Sequence, residues 1–303
     1  MNKIIDRIPF KRKGLIYISV AALLWSSSGL FIKISGRLEL NAFQISFFRS
    51  LIAAITIISI SNFQKKKIKF EFDVISIFCA ISYSGILIFF VIANTLTTAA
   101  NTIFLQFTAP IYLLFLEPFF LKTKFQMKNL ITVVICISGM ALFFMGRLET
   151  GNMYGNMFGI LSGISFALFS LFLKWKKQIH KTENTLSQIA MGNILVAIIC
   201  FPIILGKLII SPVGFVILSF LGIFQIGISY VIYNEGIKYV SATESLIIAM
   251  LEAVFNPFWV YIGIGERPSN YALLGSAVIL IGIVAHNFII KGKPEEKIYP
   301  EAG

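Results

Sequence analysis

Charge is what this sequence has least of. Of its 303 residues only 13% are charged, about half the roughly 25% of a soluble domain. The polar side chains are too few to coat a globule of this size, while 57% of the chain is hydrophobic and the mean hydropathy is +0.85. An ordinary soluble enzyme is excluded, and the lipid bilayer is the first expected partner. Cysteine is scarce as well: Cys79, Cys136 and Cys200 lie far apart inside apolar runs, without CxxC spacing. They read as small buried hydrophobes, neither a disulfide framework nor a metal site. Two histidines, His180 and His286, leave no His-based metal centre. There is no Walker A run, GxSxG or HExxH, so neither ATP hydrolysis nor a resident cofactor is expected.

What is present is apolar length. Segments of at least 17 residues fall at about 15–32, 43–61, 74–93, 99–121, 130–146, 155–173, 186–205, 213–234, 243–264 and 271–290. A helix needs about 20 residues to cross a bilayer's ~30 Å core, so the expectation is an all-α integral membrane protein with ten transmembrane helices. The strands of a membrane barrel would alternate strictly over about ten residues, and nothing here does. The basic stretch MNKIIDRIPFKRKG precedes an apolar run without a small-residue cleavage site, which reads as a retained first span.

The net charge of +12 does not point to nucleic acid, because the basic residues stand in short clusters between apolar runs. With the N-terminus placed inside, twenty of them fall on cytoplasmic segments and four on the other side. That asymmetry predicts cytoplasmic termini. Lys174, Lys176 and Lys177 are counted in the loop after span 6.

The two halves resemble each other. GLIYISVAALLWSSSGLFIKI from Gly14 aligns with GNMFGILSGISFALFSLFLKW from Gly155, at an offset of 141. TAANTIFLQFTAPIYLLFLEPFFLKTKF from Thr98 aligns with SATESLIIAMLEAVFNPFWVYIGIGERP from Ser241, at an offset of 143 that also pairs Gly139 with Gly282. The halves are expected at 1–150 and 151–303. Five spans per half is an odd number, so the second repeat enters the membrane inverted. Two such halves can exchange conformations and so alternate access to one site.

On the LLWSSSGLFIK run at 23–33, the FFRS of span 2 and the segment LEAVFNPFWVYIGIGERPSNYALLGSAVILIG at 251–282, the chain resembles the EamA type of the drug/metabolite transporter superfamily. The resemblance implies a bacterial inner-membrane carrier, with many relatives exporting amino acids or other small metabolites. It departs from the family in two places. Thr123 stands where a glutamate matching Glu266 is usual, and Glu252 is followed by Ala253 instead of proline, which moves any kink to Pro257 or removes it.

An ionisable group at bilayer depth costs at least about 2.5–3.5 kcal/mol, and persists when it faces a cavity or a partner. Glu252, in span 9, is therefore the first candidate for binding a substrate ammonium or exchanging a proton, against a structural hydrogen bond as the alternative. Arg49 is the only arginine inside a span. It is a candidate fork for a substrate carboxylate, with snorkelling to the headgroups as the plain alternative. Glu117 beside Pro118 is either a site acid or an interfacial one. Among neutral groups Trp25, Gln106, Asn101, Tyr230, Asn256 and Trp259 are candidates for the cavity wall, against helix–helix glue; Ser26, Ser27, Ser28, Gln225, Tyr233 and Tyr261 belong to the same set. Glu235 and Glu244 are expected at the interface near Lys238, as is His286.

The expectation is a non-ATP carrier for a small-molecule substrate, an exporter of amino acids or related amines, with proton exchange at Glu252 as one drive. A carrier of sugar phosphates or nucleotide sugars needs several cations in the cavity, and only Arg49 and Lys33 qualify. A membrane-embedded transferase would need clustered Asp, His or Cys at an interface. A homodimer stays open.

Overall fold

The computed structural model describes residues 9–36, 38, 40–64, 68–97, 99–143, 145, 153–180, 185–265 and 269–286, and among these there is no strand. The first half contains α1 (Phe10–Ser26) and α2 (Ser28–Gly36), which share the first span, then α3 (Ala42–Phe63) and α4 (Val74–Leu96). Its fourth span is α5 (Ala99–Gln106) with α6 (Ala109–Leu121), and its fifth is α7 (Met127–Phe143). The second half begins with α8 (Met153–His180) and α9 (Leu186–Ile204). Its third span joins α10 (Pro212–Phe220), a π-helix (Leu221–Ile228) and α11 (Ser229–Gly236). α12 (Ala242–Ala249) with α13 (Leu251–Ile264), and α14 (Asn270–Val284), complete ten spans. Seven helical runs are long and apolar enough to cross a membrane, and α7 and α14 are shorter apolar helices. Helix is the outcome physics demands, since lipid offers backbone N–H and C=O groups no partner.

Side chains mark the ends. Asn41 and Gln44 form a capping box on α3, Ser241 and Glu244 another on α12, and Asp73, Ser211 and Ser269 cap α4, α10 and α14. Gly265, at φ +74°, ends α13 in the left-handed conformation that glycine adopts without strain. Two spans outrun the hydropathy reading: α1 starts at Phe10, and α8 runs to His180. Lys174, Lys176 and Lys177, expected in a loop, are helical and buried. Lys174 donates to the carbonyls of Ile237 (2.9 Å) and Val240 (2.6 Å), and Lys176 pairs with Glu71 and Asp73. The partners of Lys174 and Lys176 lie in the turn before α12 and in the segment before α4, while the Lys177 Nζ is buried with no hydrogen bond among the described residues.

Packing runs mainly between the halves. α4 lies along α8 and α9, α3 against α9 and the π-helix, α5 and α6 against α8, α7 against α14, and α1 against α11, α12 and α13. Exchanging each span for its counterpart five further on leaves this set of partnerships unchanged. The fold is therefore two inverted repeats interleaved about a pseudo-twofold axis. The seam between α7 and α14 shows the exchange in detail. A Cβ on Gly139 would meet Ile279, and one on Gly282 would meet Cys136; Cys136 and Ile279 are themselves 143 residues apart. Gly275 lets the two backbones touch, since a Cβ there would lie 2.4 Å from the Phe143 nitrogen.

Candidate functional site

Four spans are interrupted near mid-depth. In the first, the Ser26 and Ser27 hydroxyls donate back to the Leu23 and Leu24 carbonyls at 2.7 Å each, and the helix breaks at Ser27. In the fourth, Pro110 has no N–H for the Gln106 carbonyl, so α5 stops there. The ninth breaks at Met250, the repeat mate of Phe107 and seven residues before Pro257, the position to which any proline kink was expected to move if it was kept at all. The eighth is widened into a π-helix, a form that recurs at functional sites.

These interruptions surround a small cavity that is partly open to the outside. Its polar wall is Ser28, Arg49, Gln106, Gln225 and Glu252; its aromatic wall is Trp25, Phe90, Phe166 and Tyr230, with Ile86, Leu87 and Ile226 between. Seven sequence candidates, Trp25, Ser28, Arg49, Gln106, Gln225, Tyr230 and Glu252, thus meet at one place. Phe166 was not singled out in the sequence, although it is the repeat mate of Trp25. The two rings pack edge-to-face at 6.1 Å.

The electrostatics of the cavity are incomplete. Arg49 is 2% exposed, and among the described residues its guanidinium has no hydrogen bond or ion pair, Nε included. Tyr83 and Tyr230, neutral phenols, and the Cys200 thiol are the groups near it. Glu252 stands on the same cavity and forms no salt bridge with it. Among the described residues the Trp25 Nε1–H also lacks an acceptor and the Gln225 Oε1 a donor. Buried polar groups are ordinarily satisfied, and on this cavity several are not.

Beneath the cavity, toward the end where α1 begins (the basal end), the bundle is closed in layers. Trp25 packs on Tyr230 (4.8 Å) and Tyr233 (5.2 Å). Tyr233 is fully buried, its hydroxyl linked to Ser170 (2.8 Å) and Ser245 (2.9 Å). Next comes Glu117, whose carboxylate accepts the N–H groups of Ala242 and Thr243 at 2.8 Å each and the Thr243 hydroxyl at 2.6 Å. It is buried, so it is not the interfacial acid of the alternative expectation, and it lies outside the cavity. Alongside, Lys128 meets Glu244 at 2.7 Å, and His286 bridges Glu244 (3.2 Å) and Thr132 (2.8 Å). Glu244 and His286, expected at the interface, are buried because their partners arrive on α7 from the other repeat. Glu235 does pair with Lys238, at 2.8 Å.

The other candidates lie elsewhere. Trp259 donates to Ser26 at 2.8 Å and so braces the break in the first span. Asn101 binds Thr97 (3.1 Å) and Asn156 (3.2 Å), tying α5 to α8. Asn256 is buried in α13, away from the cavity wall. Glu266 falls outside the described residues, and of Lys33 only the backbone, in α2, is described.

The EamA-like transporter family matches this sequence twice, over residues 12–145 and 153–288. The chain belongs to the EamA-like transporter family. Relatives include an uncharacterized transporter of Clostridium kluyveri, 20% identical over 90% of this chain and 92% of its own, and the uncharacterized transporter YxxF of Bacillus subtilis, 22% identical over 90% and 89%. An uncharacterized transporter of Archaeoglobus fulgidus is 25% identical over 62% of this chain and 67% of its own. A protein of known crystal structure shares the fold at a TM-score of 0.78, covering 92% of this chain and 98% of its own at 13% identity. This EamA-like protein is thus a multi-pass membrane transporter for a small-molecule substrate.

Proposed function

We propose that this chain is a secondary carrier of the bacterial inner membrane that exports an amino acid or a related amine by alternating access, its basal end and both termini cytoplasmic. One observation carries the reading: an arginine and a carboxyl group, Arg49 and Glu252, line the same cavity without bridging each other. A zwitterion supplies the missing partner of each. Its carboxylate takes the planar fork of Arg49, its ammonium takes Glu252, and its carbon skeleton lies among Trp25, Phe90, Phe166 and Tyr230. The amides of Gln106 and Gln225 offer directional contacts to either end. The repeats at 1–150 and 151–303 act as the two exchanging units. The drive is the substrate's own gradient or proton exchange at Glu252, a carboxylate that can be discharged in one orientation and recharged in the other. A sugar-phosphate cargo is disfavoured, because its charge would face one arginine and one carboxylate.

Counterflow in proteoliposomes with labelled amino acids and amines, with and without a pH gradient, tests the proposal. Saturable exchange of one amino-acid class supports it. Folded protein that exchanges none of them, but exchanges a sugar phosphate, overturns it.

A further inference from the structure

Glu117 makes three hydrogen bonds from one repeat to the other, and it lies outside the cavity. It sits on α6 in the first repeat, while both N–H groups and the hydroxyl it accepts belong to the start of α12 in the second, 125 and 126 residues away. The first N–H groups of a helix have no partner within the helix, and they carry the positive end of its dipole. Here a carboxylate from the opposite repeat supplies what those groups need.

The position of this contact gives it a role. Along α12–α13, Thr243 is nine residues before Glu252, about 13 Å at 1.5 Å per residue. Along the fourth span, Glu117 is eleven residues beyond Gln106, or about 16 Å. Glu117 therefore lies one layer below Tyr233 and two below the cavity, between the cavity and the basal side. The repeat supplies no matching group at the other end, because position 260, the mate of Glu117, is valine.

We propose that Glu117 is the gate residue of the basal end: its carboxylate on the α12 N-terminus holds that end shut, and this contact must break before the cavity can open to the basal side. The inference rests on the alternating-access reading above, not on the identity of the cargo. In lipid a buried carboxylate cannot simply let go into solvent. It holds until the fourth and ninth spans part together, which makes closure all-or-none. Glu117→Gln tests this well, since the amide oxygen can replace only one of the two carboxylate oxygens, and its NH₂, a donor, then faces a donor N–H of α12.

The experiment is sided thiol labelling of folded protein in proteoliposomes, with no substrate present. Ser245→Cys reports the basal layer and keeps the Tyr233–Ser170 contact; Ser28→Cys reports the cavity wall. Adding Glu117→Gln should raise basal-side labelling of the Ser245→Cys thiol at least tenfold. Labelling of the Ser28→Cys thiol from the opposite side should fall in parallel. Thr243→Val, which removes one of the three contacts, should give a smaller change of the same sign and serves alone if Glu117→Gln does not fold. Unchanged rates in both variants overturn the proposal. So does a rise from both sides at once, which would mark loosened folding and not a gate. Since no cargo is added, a failure here is distinguishable from a failure to exchange amino acids.

Discussion

Replacing Arg49 with methionine should make the protein more stable and a worse carrier at once. The guanidinium is 2% exposed, with no acceptor among the described residues. A buried charge without a counter-charge costs several kcal/mol even after local relaxation. Methionine fills much of the same length with an apolar chain, so folding should gain about 1–3 kcal/mol, within the range seen when buried ionic groups give way to well-packed apolar ones. Binding should move the other way. Losing one side of a buried charge pair costs about 2–5 kcal/mol, about 30- to 4000-fold in affinity at 1.4 kcal/mol per tenfold. Arg49→Lys keeps the charge without the fork and should fall between the two. Thermal unfolding of purified protein in detergent, beside counterflow affinity in proteoliposomes, gives both readouts. If Arg49→Met loses stability and keeps affinity, Arg49 is a structural brace and the charge argument is refuted.

Four further outcomes follow from the same structure. Glu252→Gln should leave substrate exchange insensitive to an imposed pH gradient; a preserved response moves proton exchange to another group. Gly275→Ala should destabilise by about 1–3 kcal/mol, because its Cβ would come within 2.5 Å of Phe143 backbone, while Gly206→Ala, with nothing within 4 Å, should be silent in the same melting assay. Lys128→Met should cost about 3–5 kcal/mol by leaving Glu244 buried without its ammonium, and adding Glu244→Gln should recover part of that loss. At Asp73, burial pushes the carboxyl up, but the Lys176 ammonium and the Ser76 hydroxyl and N–H outweigh it and hold it at about 2. A carboxyl held below its ordinary value of about 4 contributes stability above that value and loses it as pH falls toward 2. Asp73→Asn should remove that pH dependence, worth less than about 1 kcal/mol for a side chain this exposed.

The ten spans were legible because hydropathy is a property of each segment alone, and the repeat because its offsets of 141 and 143 survive in the letters. Trp25, Arg49, Gln106, Tyr230 and Glu252 could be named because a polar group at mid-depth needs a reason wherever it stands. The face each helix presents could not be read so directly. Asn101 and Trp259 looked equivalent to Gln106 in sequence, yet their hydrogen bonds go to α8 and to Ser26. Charges near span ends misled for a related reason. Glu117, Glu244, Lys174 and His286 sit where snorkelling is easy, and only partners more than forty residues away turn them inward. The partners of Glu117 and Lys174 are mostly backbone groups, which leave no trace in residue identity. Nothing in LGIFQIGI (residues 221–228) announced the π-helix.

The interleaving of the two halves also sets an order of events during synthesis. α4 finds its main neighbour in α8, which is complete only about 80 residues later, roughly 4–16 s at ribosomal speeds of 5–20 residues per second. During that interval Tyr83 and its neighbours on α4 face lipid or an insertion chaperone in place of Phe169. α7 waits longer still, until α14 arrives at the very end of the chain. The first repeat is therefore membrane-inserted long before it is folded, and a stop codon between the repeats would leave five spans whose buried faces have nothing to meet.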